Sequence, residues 1–319
     1  MVHLKSPHHH ATTSPEKSKI IFLVGPTAIG KTEAAVYVAK KLKAEIISCD
    51  SMQIYKGMDI LTSKPNGSLL KKVSHHLISV IPASQEYNVS RYRKEAGKEV
   101  KLLIKHGKVP LFVGGTGLYV SILVDGIFEQ KPNEKIRHKL YKIAKKKGSA
   151  YLYRKLAKID PEAAAKIHQN DTKRLIRALE VYESTGKPIS VLQKQRHGLK
   201  DKYEVKIFCL DIKRDKLYKR IDERIDKMFE QGLIREVKKL LGKRLSRTAA
   251  CAIGIKELKG YFDNRYDLDE AKRLMKRNTR HYAKRQLTWF RKDKRIQWIN
   301  IDEGAKPKET AERLWKEIK

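Results

Sequence analysis

At 319 residues the chain is long enough to bury one large core, or a core with an insertion. Its hydrophobic content of 40% suits a soluble protein, and no apolar run nears the roughly 18 residues of a membrane helix, which sets membrane-spanning functions aside. Lys and Arg number 71 against 36 Asp and Glu, a formal net charge of +35 that points to a polyanionic partner such as a nucleic acid. Lysine enrichment of solvated surface accounts for part of the excess, as in Lys145-Lys146-Lys147.

In chain order, residues 1–18 carry three successive histidines among scattered Ser, Thr and Pro, without a signal-peptide core, and read as a disordered leader. An apolar run at 20–24 predicts a strand. It leads into Gly25-Pro26-Thr27-Ala28-Ile29-Gly30-Lys31-Thr32 and a helical pattern over 33–42. Strand, G-x-x-x-x-G-K-T loop and helix together form a P-loop. Backbone amides and the helix N-terminus curl around a phosphate, Lys31 adds a full charge, and the Thr32 hydroxyl can ligate Mg²⁺. A second strand at 45–48 ends near Asp50-Ser51. In an open α/β sheet ligands sit beyond the carboxyl ends of the strands, so Asp50 is expected beside the phosphates, placed as a general base.

Further strands are predicted at 77–81 and 109–113, separated by an amphipathic helix over 89–106. The strand at 109–113 runs into Gly114-Gly115-Thr116-Gly117 with no acidic residue at its end. The Walker-B carboxylate of an ATPase is therefore missing there, and Thr116 is expected to line the same pocket. His75-His76, before the strand at 77–81, lack further ligands for a metal and read as pocket lining or capping.

From 131 to 200 only helices are predicted (134–147, 150–158, 161–168 and 172–184), with basic residues far in excess. This block reads as a basic helical insertion in a core of 19–130 completed by 201–319. A strand returns at 205–212, followed by helices at 214–241, 249–261 and 268–293, a strand at 296–301 and a helix at 310–318. The expected fold is α/β: a P-loop parallel sheet flanked by helices, with a basic all-helical insertion and a mostly helical C-terminal part. Arg220 and Arg224, four apart on one helix face, could clamp a diphosphate; ion pairs with Asp222, Glu223 or Asp226 are the alternative. Arg277, Arg280, Lys284 and Arg291 share another helix face, interleaved with Tyr282, Trp289 and Phe290. That pattern suits RNA tracking and base stacking, or equally a solvated face over buried aromatics. Cys49, Cys209 and Cys251 are isolated, giving no disulfide framework and no zinc site, in keeping with a reducing cytoplasm.

Taken together, the P-loop, Asp50-Ser51-x-Gln53-x-Tyr55, Gly57-Met58-Asp59-Ile60 and Lys64-Pro65 resemble the tRNA dimethylallyltransferase family. So do Val113 to Tyr119, Asn170-Asp171 through Glu180, and Thr279 to Arg291. The resemblance runs from about residue 19 to 298, with the motifs in the family's order. It implies transfer of a dimethylallyl group from dimethylallyl diphosphate, with Mg²⁺, to the exocyclic amine of the adenosine 3′ of a tRNA anticodon. The P-loop (Gly25 to Thr32), with Arg220 and Arg224, would hold the diphosphate, and Lys31, Thr32 and Asp50 would be catalytic. By position, tRNA contacts would fall on Asp50, Ser51, Met52, Gln53, Thr116, Arg137, Lys173, Arg174, Leu175, Ile176 and Arg177, with Arg280 and Lys284 added from the basic helix. Ile255 departs from the family in a further tRNA-contact segment, 252–257, where Tyr is usual. No Cys pair exists for the zinc finger of eukaryotic members, so a bacterial-type, monomeric, cytoplasmic enzyme is expected. A P-loop small-molecule kinase, an adenine-nucleotide isopentenyltransferase and a non-catalytic RNA-binding protein remain the alternatives.

Overall fold

A computed structural model of the chain describes residues 17–128, 130–302 and 304–319; residues 1–16 of the expected leader lie outside them. Strand β1 (Lys19–Val24) leads through the glycine loop into α1 (Lys31–Leu42). Then come β2 (Ala44–Ser48), β3 (Tyr55–Lys56), α2 (Gly67–Leu70), β4 (His75–His76), β5 (Ile81–Pro82), α3 (Val89–Lys105) and β6 (Val109–Gly114). Helices α4 (Gly117–Asp125), α5 (Glu134–Lys147), α6 (Ser149–Ile159), α7 (Pro161–Lys166), α8 (Thr172–Thr185) and α9 (Ile189–Lys194) follow without a strand. The chain closes with β7 (Glu204–Asp211), α10 (Arg214–Glu230), α11 (Leu233–Leu241), α12 (Ile255–Phe262), α13 (Leu268–Phe290), β8 (Ile296–Asn300) and α14 (Pro307–Ile318).

These elements fall into two compact units. One comprises residues up to Glu86 with Lys98–Thr116 and Lys202–Lys319; the other comprises Tyr87–Gly97 and Gly117–Asp201. The first unit holds a six-stranded sheet in the order β4-β2-β6-β1-β7-β8, parallel at every pairing. This is the parallel α/β architecture that the alternation of strands and helices implied. β1 is buried on both faces, as expected for a continuous apolar run inside a parallel sheet. Its neighbours β6 and β7 are aligned with it, Val24 lying opposite Gly114 on one side and Cys209 on the other. Phe22 and Phe112 stack at 4.5 Å across that seam. Three strand ends are thereby brought to the same level as the glycine loop.

The second unit is helical around Leu140, Leu152, Leu156, Leu175, Leu179 and Val181. Its helix starts are fixed by short polar side chains: Asn133 caps α5, Asp160 caps α7 and Asp171 caps α8. Asp160 is buried and also accepts from the Ser190 amide at 2.9 Å, tying α9 to α7.

Three expected elements take a different form. The strand predicted at 77–81 does not form. His75–His76 pairs with β2, Ile81–Pro82 pairs with β3, and between them Leu77 and Ser79 take left-handed backbone angles that no ladder tolerates. The helix predicted over 214–241 breaks at Gly232, whose φ of 98° ends one helix and starts the next. The helix predicted over 249–261 starts as a single 3₁₀ turn at Ala249–Cys251 and becomes α-helical only after Gly254, at φ 108°. Among the described residues no helix is long and apolar enough to cross a membrane.

Candidate active site

The P-loop occupies the end of the sheet where β1, β2 and β6 finish. Gly30 (φ 94°) and Ala28 (φ 67°) adopt the left-handed angles that turn the loop's amides inward, and Lys31 opens α1. Thr27 to Thr32 line a cavity of about 230 Å³ together with Ser48, Asp50, Gln53, His75, Gly114, Gly115, Arg224, Tyr282 and Gln286. The carbonyls of Gly25 and Pro26 accept hydrogen bonds from Lys31 Nζ at 2.9 and 2.7 Å. Burial lowers the Lys31 ammonium to about 8, offset in part by the Asp50 charge. A phosphate placed against Nζ would reverse that penalty.

Asp50 follows β2, where its Oδ1 accepts from the amides of Met52 (2.8 Å) and Gln53 (3.4 Å). Met52 and Gln53 are thus held by a turn that Asp50 itself organises. Thr116 Oγ1 accepts from the Ser51 amide at 3.1 Å, and the Tyr282 hydroxyl hydrogen-bonds to Thr116. Burial, reinforced by the Asp50 charge, pushes the Tyr282 phenol far above its usual range. Beside this cluster lies a second cavity of about 270 Å³. It shares Thr27, Asp50, Thr62, Arg224 and Tyr282 with the first, and its other walls include Met52, Leu61, Met228, Ile253 and Met275.

Arg220 and Arg224 of α10 both lie against the glycine loop. Arg224 lines both cavities; burial, again offset by Asp50, lowers its guanidinium to about 10. Its buried Nε has no hydrogen-bond partner among the described residues. Arg220 donates to the Ile29 carbonyl at 3.4 Å. Of the acids that could pair with them, Asp222 pairs with Arg280 at 2.8 Å and Asp226 with Lys276 at 2.7 Å, both on α13, while Glu223 faces Lys219 at 4.0 Å. Arg280 is therefore engaged within the protein, while Lys284 is exposed. Of the aromatics on α13, Phe290 is core, Trp289 is exposed and Tyr282 reaches the site.

In the helical unit Arg137 forms a two-pronged bond to Glu180, a carboxylate with no solvent exposure, and Arg177 approaches the same group at 3.3 Å. Arg177 also donates to the Gln130 carbonyl. Both guanidinia are engaged in satisfying a buried acid. Leu175 and Ile176 are core residues, so the exposed side chains of their segment are Lys173 and Arg174. Ile255 is likewise buried, and the cavity wall in its segment is formed by Cys251, Ala252 and Ile253.

Sequence reasoning passed over Gln286. Its Oε1 accepts from the Thr27 amide at 2.9 Å and its Nε2 donates to the Gly115 carbonyl at 2.8 Å, clamping the P-loop to the end of β6. Met275, Thr279, Tyr282 and Gln286 recur at four, three and four residues, so they form the face of α13 that meets the cavities. That spacing is legible in the sequence, alongside the basic residues on the other faces of α13. His75 lines the P-loop cavity, in keeping with its reading as a pocket-lining residue. Its Nδ1–H donates to the Val73 carbonyl at 2.8 Å and burial lowers its pKa, which leaves a neutral ring whose buried Nε2 has no partner among the described residues.

Among the described residues no three His, Cys, Asp or Glu converge to hold an ion by themselves. Thr32 and Asp50 offer hard oxygen atoms on one cavity wall, which suits Mg²⁺, an ion that takes most of its ligands from phosphate and water.

Comparison with known proteins follows the same geometry. Residues 53–293 match the family model described as IPP transferase, and residues 18–81 match one described as isopentenyl transferase. The tRNA dimethylallyltransferase of Carboxydothermus hydrogenoformans is 48% identical over 303 residues, covering 94% of this chain and 96% of that protein. That of Halothermothrix orenii is 45% identical over 301 residues, with 93% and 92% covered. The crystal structure of a tRNA isopentenylpyrophosphate transferase from Bacillus halodurans superposes with a TM-score of 0.68 at 39% identity, covering 95% of this chain and 97% of that one. A eukaryotic dimethylallyltransferase captured acting on tRNA superposes at 0.73 with 29% identity, covering 89% of this chain and 74% of that one. Likeness of this extent, over a chain with the P-loop and sheet described above, places it in a family: the chain belongs to the IPP transferases.

Proposed function

We propose that this protein transfers a dimethylallyl group from dimethylallyl diphosphate to the exocyclic amine of the adenosine immediately 3′ of the anticodon in tRNA. The observation that carries the reading is that Asp50 borders both cavities, one walled by the P-loop and the other by a mixed lining in which Met52, Leu61, Met228, Ile253 and Met275 meet Arg224, Arg285 and Tyr282. In this reading the diphosphate lies in the P-loop cavity, against the amides of residues 27–32, Lys31 and Arg224, with Arg220 supporting the loop. The acceptor adenine, turned out of its stack, enters the second cavity. As the allylic C–O bond breaks, negative charge grows on the leaving diphosphate, and Lys31 and Arg224, both deeply buried, stabilise it electrostatically. The amine attacks the allylic carbon, and its proton passes to the Asp50 carboxylate, which keeps the base aligned through its turn with Met52 and Gln53. Thr32 would hold Mg²⁺, which would supply neutralisation of diphosphate charge. Tyr282, kept as a phenol, and Thr116 form the rim beside the acceptor.

The excess of Lys and Arg serves RNA binding, with Lys173, Arg174 and Lys284 as exposed cations for the phosphodiester backbone, and the enzyme works as a cytoplasmic monomer. The match to the isopentenyl transferase model gives an adenine-nucleotide acceptor some standing, but it covers far less of the chain than the IPP transferase match. Incubation with labelled dimethylallyl diphosphate and Mg²⁺, offering unmodified tRNA or AMP, tests the proposal. Label is expected in tRNA; label in AMP alone, or in neither, overturns it.

A further inference from the structure

A third cavity, of about 580 Å³, opens elsewhere on the sheet-containing unit. Lys56, Gly57, Asp59, Pro82, Ser84, Glu236, Lys239, Lys243 and Arg244 are among the residues around it. Lys56, Lys239, Lys243 and Arg244 are all exposed, and none of them forms an ion pair or side-chain hydrogen bond among the described residues. The two acids at the cavity are already engaged. Asp59 pairs with Lys64 at 2.7 Å. Glu236 accepts from the amides of Asp59 (3.0 Å), Ile60 (2.9 Å) and Leu61 (2.8 Å). Four cations thus surround one opening that also carries two carboxylates, Asp59 neutralised by Lys64 and Glu236 held by backbone amides.

We propose that this groove holds the phosphodiester backbone of the RNA substrate, an inference that rests on the tRNA reading above. A small anion would favour a nest of backbone amides, and the nest present here, at residues 59–61, is filled by the Glu236 carboxylate. What remains is a set of exposed cations, three lysines and an arginine, which suits a chain of phosphates bound largely by counterion release. The groove and the active site draw on one short chain segment. Lys56, Gly57 and Asp59 line it, while Thr62, Ser63 and Pro65, a few residues on, line the P-loop cavity. RNA whose adenosine reaches Asp50 would lay flanking phosphates along the same segment.

The test compares the full-length double variant Lys239→Gln/Lys243→Gln with Lys308→Gln/Lys316→Gln, which removes equal charge from exposed positions on α14. Affinity for tRNA is measured against salt, alongside kcat, the KM for dimethylallyl diphosphate, inhibition by inorganic pyrophosphate and a melting curve. For the groove variant, the slope of log Kd on log salt should fall by about two and tRNA affinity should weaken about tenfold at low salt. Its kcat, donor KM and melting point should hold, and the control should keep the wild-type slope. Equal slopes in the two variants would show a general charge effect and overturn the inference. Weakened pyrophosphate inhibition with unchanged tRNA affinity would mark a small-anion site and overturn it too. Failure of the wild-type protein to modify tRNA would instead remove the functional reading on which the inference stands.

Discussion

Binding of a diphosphate should draw a proton onto the protein at alkaline pH. The Lys31 ammonium, desolvated by the loop and α1, titrates near about 8 rather than 10.5; Asp50, Cys209 and Glu33 pull it up and Arg224 pushes it down. At about pH 8.5 roughly a quarter of the empty protein then carries this proton. A polyanion against Nζ restores the charge, so binding should take up about 0.75 proton at that pH but only about a tenth near pH 7. The same shift fixes the sign for stability. The folded-state value lies below the unfolded one, so the empty protein bears the full cost of burying the ammonium below about pH 8. That cost is relieved as pH rises toward 10.5. Titration calorimetry of pyrophosphate with Mg²⁺, in buffers of different ionisation heat, reads the uptake directly. Lys31→Arg is the reference, because a guanidinium stays protonated throughout and the ligand's own proton changes are common to both proteins. Equal uptake by wild type and Lys31→Arg at about pH 8.5 would refute the reasoning.

Three further outcomes follow from the site. Asp50→Asn keeps an oxygen for the Met52 and Gln53 amides, so it should fold and bind tRNA while turnover falls about 10²- to 10⁴-fold in a label-transfer assay; near wild-type turnover would remove Asp50 as the base. Gln286→Ala leaves the Thr27 amide and the Gly115 carbonyl without their clamp, and should cost about 1–3 kcal/mol in denaturant unfolding and weaken pyrophosphate binding, whereas Lys292→Gln on the exposed surface should do neither. Gly114→Ala would set a Cβ 2.1 Å from the Cys49 carbonyl and should destabilise severely; Gly97→Ala, inside α3 with nothing within 4 Å, should stabilise by about 0.5–1 kcal/mol, both read from melting curves.

The residue patterns that spoke most clearly were those with local causes. A glycine-bracketed loop between an apolar run and a helix can only curl its amides inward, and the apolar runs at 20–24 and 109–113 pair as the buried middle of a sheet. The broken elements had local causes too, at Gly232 and Gly254, but a glycine inside a helical pattern does not announce whether it is tolerated or bends the chain. The strand predicted at 77–81 failed for a non-local reason: each end of that segment found a different partner, β2 for one and β3 for the other.

By itself, then, the sequence determined the phosphate loop, the placement of Asp50 after a strand and the basic character of the molecule, because each depends on residues adjacent in the chain. Only the tertiary structure decided which charges are free. Asp222 and Asp226 pair with α13, leaving Arg224 unpaired at its buried Nε beside the P-loop, while Glu180 engages Arg137 and Arg177. Such choices turn on distances between elements far apart in sequence, and a charge's partner is fixed only when packing brings the two together and removes the water between them. Gln286 is the plainest instance, a polar side chain 259 residues from the loop amide it holds.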